Sequence, residues 1–387
     1  MDMTRLPWMT DDLVQFRDVA LRYLADRIAP RVPGWIEAKR VDRQTWLDLG
    51  AMGMLLPELP EELGGSGAPI SFQAALIDAM AETGVLPSFG VSVHAIVAHY
   101  LLAYASEAQK RRWLPHMASG EMIAAIAMSE PGAGSDLQGV RTQARREGDY
   151  YVINGSKTFI TNGSIADIIC VVVKTDLSAG AKGISLVMVE TVDLPGFKVG
   201  RVLNKIGMMG SDTAELFFDD VRVPVDNLIG NAEGRGFYQL MEQLPFERTI
   251  LGLMAVAAME RAVTLTVDYV AQRKAFGKTL LELQNTRFKL AECKTIATIG
   301  RVFINDCVQR LCDGTLDSAT ASMAKWWGSQ MQCDVIDECL QLFGGYGYMR
   351  EYPIAEMYAD ARVQKIYGGT NEIMKELIAR SLEAQVR

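Results

Sequence analysis

The chain has 387 residues, 49% of them hydrophobic, which is enough for two or three domains of about 100–150 residues with substantial cores. Lys plus Arg number 39 against 47 Asp plus Glu, a net charge of −8, and no basic run is present that could release counterions from a polyphosphate backbone, so nucleic acid is excluded as a partner. His94, His99 and His116 have no HExxH pattern or Cys partner, and no metal site is expected; His94 and His99 read as helix residues satisfied by hydrogen bonds. Cys170, Cys293, Cys307, Cys312, Cys333 and Cys339 show no CxxC spacing and read as buried thiols in a reducing compartment. No apolar run approaches the length of about 18 residues that spans a membrane, and the opening Met1-Asp-Met-Thr-Arg5 is neither a signal nor a transit segment. A cytoplasmic location is therefore expected.

Residues 1–120 read as an α-helical domain. Thr10 is placed to cap a helix in which Leu13, Phe16, Val19, Ala20, Leu24 and Ile28 recur at three- and four-residue steps, and Pro30 and Pro33 are expected to stop it. Further amphipathic stretches cover 43–53, 71–83, 91–105 and 107–118, with a Gly/Pro-rich loop at 56–65. Residues 121–232 shift to period two, with strands at Ile168–Val173, Ile184–Val189, Phe197–Val202 and Ala214–Asp219. Short strands without helices between them predict a small antiparallel barrel or sandwich. Residues 233–387 return to long helices near 234–273, 284–312, 316–343, 352–365 and 371–384, a bundle of four or five. The fold class is α+β multidomain.

Two blocks in the middle domain carry the chemistry: Met128-Ser-Glu-Pro-Gly-Ala-Gly-Ser-Asp136 and Lys157-Thr-Phe-Ile-Thr-Asn-Gly163. Gly132 and Gly134 permit positive φ and close approach of a ligand to the backbone, beside donors from Ser129 and Ser135. Asn154-Gly155 reads as a type I′ turn that sends Phe159 and Thr161 to one face of a strand and Ile160 to the other. Either block alone is compatible with an ordinary Gly-rich loop or hairpin. In this order, between helical domains, they resemble the flavin cradle of the acyl-CoA dehydrogenase family, and the likeness extends over essentially the whole chain. The resemblance implies FAD, held by Ile126, Met128, Ser129, Gly134, Ser135, Phe159, Ile160 and Thr161. Gln272-Arg-Lys-Ala-Phe-Gly-Lys278 and Gln284 resemble the family segment that reaches the FAD of a neighbouring subunit through Arg273, Phe276 and Gln284. Arg273 suits phosphate because its planar fork bonds in pairs. Gln341-Leu-Phe-Gly-Gly-Tyr-Gly-Tyr348 is similar to the second Gly-rich signature and adds Gln341, Gly344 and Gly345, while Thr370 and Glu372 open a helix towards the flavin. Glu356 departs from the family signature, which has Lys or Arg there.

The reaction that this resemblance implies removes an α-proton and a β-hydride from a saturated acyl-CoA. It needs a carboxylate as base and donors for the thioester oxygen. Many family members carry the base directly before Gly-Thr, but here the stretch is Tyr367-Gly368-Gly369-Thr370. In the long-chain and isovaleryl subgroups the base comes from the first long helix of the last domain, and Glu247, twenty-six residues before Arg273, stands in that register. Burial of the site by an acyl chain is expected to raise its pKa towards neutrality. The resemblance further implies substrate contacts at Ser135, Tyr238, Arg248, Gly368 and Gly369. Arg248, one residue on, faces away from Glu247 and serves CoA or the helix. The N–H of Gly368 still donates to the thioester, and its missing side chain is expected to leave volume for methyl-branched substrates. Leu316-Asp-Ser-Ala-Thr-Ala321 and Lys375-Glu-Leu-Ile-Ala-Arg380 are similar to the long-chain enzymes. The implied protein is a homotetramer that passes electrons to an electron-transferring flavoprotein. An acyl-CoA oxidase of the same fold and a flavin-bearing acyl-CoA binding protein without turnover remain as alternatives.

Overall fold

A computed structural model describes residues 8–384; the opening Met1–Arg5, on which part of the location argument rests, lies outside the described residues. The first helix, α1 (Asp11–Tyr23), starts where Thr10 Oγ1 accepts from Leu13 N at 3.3 Å. Pro30 and Pro33 do not stop it, contrary to expectation. The chain runs through a π-turn over Leu24–Ile28 and a 3-10 turn over Ala29–Arg31 into α2 (Val32–Ala38), and both prolines sit in the opening turns of their segments, where no N–H is required. Lys39, at φ 54°, ends the helical path. Helices α3 (Arg43–Ala51), α4 (Ser71–Thr83), α5 (Val91–Tyr104) and α6 (Glu107–Ala118) complete the first domain.

The middle domain is a seven-stranded, mostly antiparallel sheet: β1 (Ala124–Ala127), β2 (Gln143–Glu147), β3 (Tyr150–Thr161), β4 (Ile168–Lys174), β5 (Ile184–Glu190), β6 (Phe197–Val202) and β7 (Thr213–Pro224). Its order is β1-β4-β2-β3-β7-β6, with β5 on β4, and β1 pairs with β4 in parallel. The expected turn at Asn154-Gly155 is absent. Both halves of the segment pair with β7 as one strand, and Gly155 sits in a bulge where a Cβ would lie 2.5 Å from Thr142 Oγ1. The actual hairpin turn is at Gly148, between β2 and β3.

The run Ile-Ile-Cys-Val-Val-Val of β4 is buried on both faces because it divides two cores. Ile168, Cys170 and Val172 join the helical core, and Ile169, Val171 and Val173 the core of the sheet. Alternation along one strand thus turns Cys170 towards the helices.

The last domain contains α7 (Gly236–Gln272), α8 (Gln284–Cys312), α9 (Ser318–Phe343), α10 (Pro353–Ala361) and α11 (Asn371–Ala384). Contrary to the expectation of no long apolar run, α7 contains an 18-residue window of mean hydropathy 1.6, long and apolar enough to cross a membrane; 67% of that window is buried in this fold, as in a core helix. Arg301 of α8 binds Asp78 of α4 at 2.9 and 3.0 Å and Glu260 of α7 at 2.6 Å, which fastens the first domain to the bundle. The thiols are not all buried as expected, since Cys312 is exposed and Cys333 half-buried.

Candidate active site

The two sequence blocks are joined along their length. Thr158 N donates to Ser129 O at 3.0 Å, and Lys157 Nζ donates to Met128 O at 3.1 Å and Glu130 Oε1 at 2.8 Å. Glu130 also accepts from Arg141 N and Thr142 N at 2.7 and 2.9 Å. Burial opposes the charge on Glu130, yet Lys157 and the backbone donors outweigh it and hold the carboxyl below its usual range. Burial also lowers Lys157, to about 8, against the pull of Glu130. Replacing Lys157 by Met should leave Glu130 buried without its cation. The expected cost is about 3–5 kcal/mol, read as a fall in the unfolding midpoint together with new protease cleavage across residues 130–142; an unchanged midpoint would argue against this tie.

On the outer side of this frame, Ser135 and Gly134 are exposed, and Ile126, Met128, Ser129 and Thr161 are half-buried. Neither Gly132 nor Gly134 has the expected positive φ; their Cβ positions open into free space instead, so the room they leave faces outward. Phe159 is 69% exposed at φ 62° within a bulge, and Ile160 points into the sheet core, as alternation predicts. An aromatic side chain held outward in a left-handed backbone, beside hydroxyls and open backbone, is the surface a flat aromatic ring requires. Thr370 Oγ1 caps α11, accepting from Ile373 N at 3.4 Å, with Glu372 exposed in the first turn.

A second groove, of about 640 Å³, brings Arg273, Gln341, Gly344 and Gly345 together beside Tyr269 and Tyr346. The Arg273 guanidinium lies 5.3 Å from the Tyr346 ring centroid. Gln284 begins α8 nearby in sequence, and Phe276 is 93% exposed at φ 53° at the tip of a two-stranded turn. Neither lines this groove.

Glu247 lies in the middle of α7 and is buried. Burial raises its pKa to about 7, against lowering by a hydrogen bond from Tyr100 and by the charge of Arg248. The fold alone therefore produces the shift expected from a bound acyl chain. Tyr100 of α5 donates to Glu247 Oε1 at 2.7 Å; Oε2 has no donor among the described residues and is not sealed from solvent. Cys170 of β4, whose neighbour across the ladder is Ile126, also feels the Glu247 charge, so the base and the cradle share one wall. Arg248 turns away, as expected, with Nη1 donating to Ser318 Oγ and Ser322 Oγ of α9 at 2.9 and 3.0 Å. Buried there, it ties two helices. Tyr238, in the first turn of α7, is 40% exposed.

Gly368 and Gly369 both have positive φ, and Lys325 Nζ holds the turn from beneath by donating to Gly369 O at 2.6 Å. The volume expected beside Gly368 is not empty: a Cβ there would lie 2.3 Å from Leu251 Cδ1. Leu251 is four residues after Glu247 on α7, one helical turn along the same face, so base and turn are neighbours with a leucine packed between them. Sequence reasoning missed Tyr100, Lys325 and the contact of Leu251 with Gly368, each of which rests on a partner remote in the chain.

Models of the acyl-CoA dehydrogenase N-terminal, middle and C-terminal domains match residues 10–121, 125–221 and 234–383. The chain belongs to the acyl-CoA dehydrogenase family. It is 47% identical over 370 residues to the mitochondrial long-chain specific acyl-CoA dehydrogenase of Sus scrofa, covering 95% of this chain and 85% of that protein. To the mitochondrial isovaleryl-CoA dehydrogenase of Oryza sativa subsp. japonica it is 33% identical, covering 96% and 91%. The crystal structure of an acyl-CoA dehydrogenase from Geobacillus kaustophilus superposes with a TM-score of 0.95 at 44% identity, covering 97% of this chain and 99% of that one. A glutaryl-CoA dehydrogenase from Mycobacterium smegmatis, solved in complex with FADH2, superposes at 0.91 with 28% identity, covering 98% and 96%.

Proposed function

We propose that this acyl-CoA dehydrogenase acts with FAD on saturated long-chain acyl-CoA thioesters, yields the trans-2-enoyl-CoA, and passes its electrons to an electron-transferring flavoprotein as a homotetramer. The observation that carries the reading is Glu247: a buried carboxylate with one oxygen held by Tyr100, the other free, and a pKa raised to about 7 at the junction of α7, the Gly368–Gly369 turn and β4. A base poised near working pH is what abstraction of an α-proton requires. The long-chain preference is supported by the 47% identity to an enzyme of that specificity.

Ser129, Thr161 and the outward Phe159 suit a flavin ring, and Arg273 with Gln341, Gly344 and Gly345 suits a pyrophosphate and adenosine in the second groove. When bound, FAD would supply a hydride acceptor. Oε2 of Glu247 takes the α-proton, while the Gly368 N–H, presented by a left-handed turn with Lys325 beneath it, donates to the thioester oxygen as negative charge develops there. Leu251 and α5 supply apolar walls beside the base.

The test is anaerobic addition of acyl-CoAs of increasing length to the yellow holoprotein. Bleaching of the flavin is expected to be fastest with long straight chains. A flavin-loaded protein that no saturated acyl-CoA bleaches would leave only the binding-protein reading, and rapid reoxidation in air after bleaching would indicate an oxidase.

A further inference from the structure

We propose that Tyr100 is the positioning residue of the base: its hydroxyl fixes Glu247 Oε1 so that Oε2 alone is presented to the substrate. The inference rests on the reading of Glu247 as base and goes beyond it, because Tyr100 belongs to the first domain and the base to the last. Tyr100 is fully buried in the apolar helix α5, and its hydroxyl reaches Glu247 Oε1 at 2.7 Å, with only one other acceptor nearby, Leu240 O at 3.5 Å. The single proton therefore goes to the carboxylate. A buried carboxylate without a donor would turn freely about its last torsions and would favour the neutral acid, which is useless as a base. One hydrogen bond corrects both defects, since it fixes the plane of the carboxylate and stabilises its charged form.

Tyr100 itself stays protonated, because burial and the adjacent Glu247 both hold its ionisation well above the ordinary range, so it remains a donor wherever the base works. When Glu247 becomes neutral by accepting the α-proton on Oε2, its Oε1 still accepts from the Tyr100 hydroxyl. The other titratable or charged groups facing Glu247 are Cys170 from β4, which burial raises to about 12, and Arg248 on α7 itself, which is bound to α9. His99, next to Tyr100, stacks on Phe246 at 3.9 Å and pairs with Glu58 at 3.0 Å.

The competing account is that Tyr100 is domain glue, and the same helix supplies a control. One turn on, Tyr104 donates to Glu242 Oε2 of α7 at 2.8 Å, a bond of the same kind between the same two helices that leaves Glu247 untouched. Flavin reduction by a saturating long-chain acyl-CoA is measured in the wild-type, Y100F, Y104F and E247Q holoenzymes between about pH 6 and 9. Y100F should move the rising limb of the profile up by about one to two pH units, so that reduction is roughly five- to fifty-fold slower at neutrality and recovers on the alkaline side, with substrate affinity kept. Y104F should leave the limb in place. An unmoved limb in Y100F, an equal loss at every pH, or the same displacement in Y104F overturns the proposal.

Should Y100F fail to hold flavin, infrared difference spectra of the wild-type across the same pH range, with the Glu247 band identified by its loss in E247Q, replace it: a carboxyl band at the position of a group without hydrogen bonds overturns the proposal, and a hydrogen-bonded one upholds it. If E247Q is reduced at the normal rate, the base assignment itself falls; if E247Q is slow while Y100F behaves as wild-type, only the role of Tyr100 does.

Discussion

Glu247→Gln is expected to slow flavin reduction by about 10²–10⁴-fold, the usual worth of a positioned general base, while substrate and flavin affinities stay near those of the wild type. The substitution keeps size and shape. Its amide oxygen can still accept from Tyr100, so the packing around α5 and β4 has no reason to change. Only the capacity to take a proton is lost. In the wild type the rate should rise with pH through about 7, as Glu247 ionises, and in the Gln variant this limb should vanish. The stability effect has the opposite sense. A carboxyl whose pKa is raised on folding lends stability below its unfolded value, near 4.5, and this is lost as pH rises through about 7, because the folded state must then hold a buried charge. The Gln variant carries no such charge. Its unfolding midpoint should therefore match or exceed that of the wild type, with a gap that widens as pH rises through about 7. Stopped-flow reduction and thermal unfolding at two pH values either side of 7 test both halves. A normal rate in the Gln variant would move the base to another carboxylate.

The legible parts of this chain are those whose physics is local. Thr10 caps its helix with its own side chain, the β-branched run of β4 reads as a strand buried on both faces, and the periods of α7, α8 and α9 place their ends within a few residues. Glu247 stands out in the sequence only through the resemblance to the long-chain and isovaleryl subgroups; its burial and its bond to Tyr100 are read from the structure. The strands β1 and β2 were not legible, since β1 is three alanines around a single Ile126 and the sequence Gln-Ala-Arg-Arg-Glu has no β-former pattern, with Ala144 the one buried residue of β2. Asn154-Gly155 misled for a related reason. Its residues fit a tight turn, but nine paired positions with β7 override that preference and convert the glycine into a bulge. Tyr100 reads as one more apolar residue of α5, because its partner lies 147 positions away. Distance in sequence, together with the absence of any charge pattern on α5, concealed it.

The contact between Leu251 and Gly368 reverses the expectation that a side chain at 368 would act selectively on branched substrates. Gly368→Glu places a Cβ 2.3 Å from Leu251 Cδ1 and asks a non-glycine residue to hold φ 62°. Left-handed backbone costs about 1–2 kcal/mol for an L side chain, and overpacking adds about 1–3 kcal/mol. The Leu251 methyl is the end of a flexible side chain and can give, so the left-handed strain falls on the turn that presents the Gly368 N–H, whose other end Lys325 and Asn371 hold. Straight and branched acyl-CoAs should both lose activity, by about 10²-fold or more if the thioester donor is moved out of line. Relief should come from the helix. In Gly368→Glu with Leu251→Ala the steric conflict is removed while the left-handed strain stays, so part of the lost rate should return. Leu251→Ala alone leaves a cavity one turn from Glu247, at a cost of about 2–5 kcal/mol in stability, and the freed space is where a methyl branch could lie. The expected outcome is that Leu251, and not Gly368, limits branching. Flavin reduction by matched straight and methyl-branched acyl-CoAs across the three variants decides the matter. If the Leu251→Ala substitution rescued nothing in the double variant and left the branched-to-straight ratio unchanged on its own, the packing between α7 and the 368–369 turn would have no part in specificity.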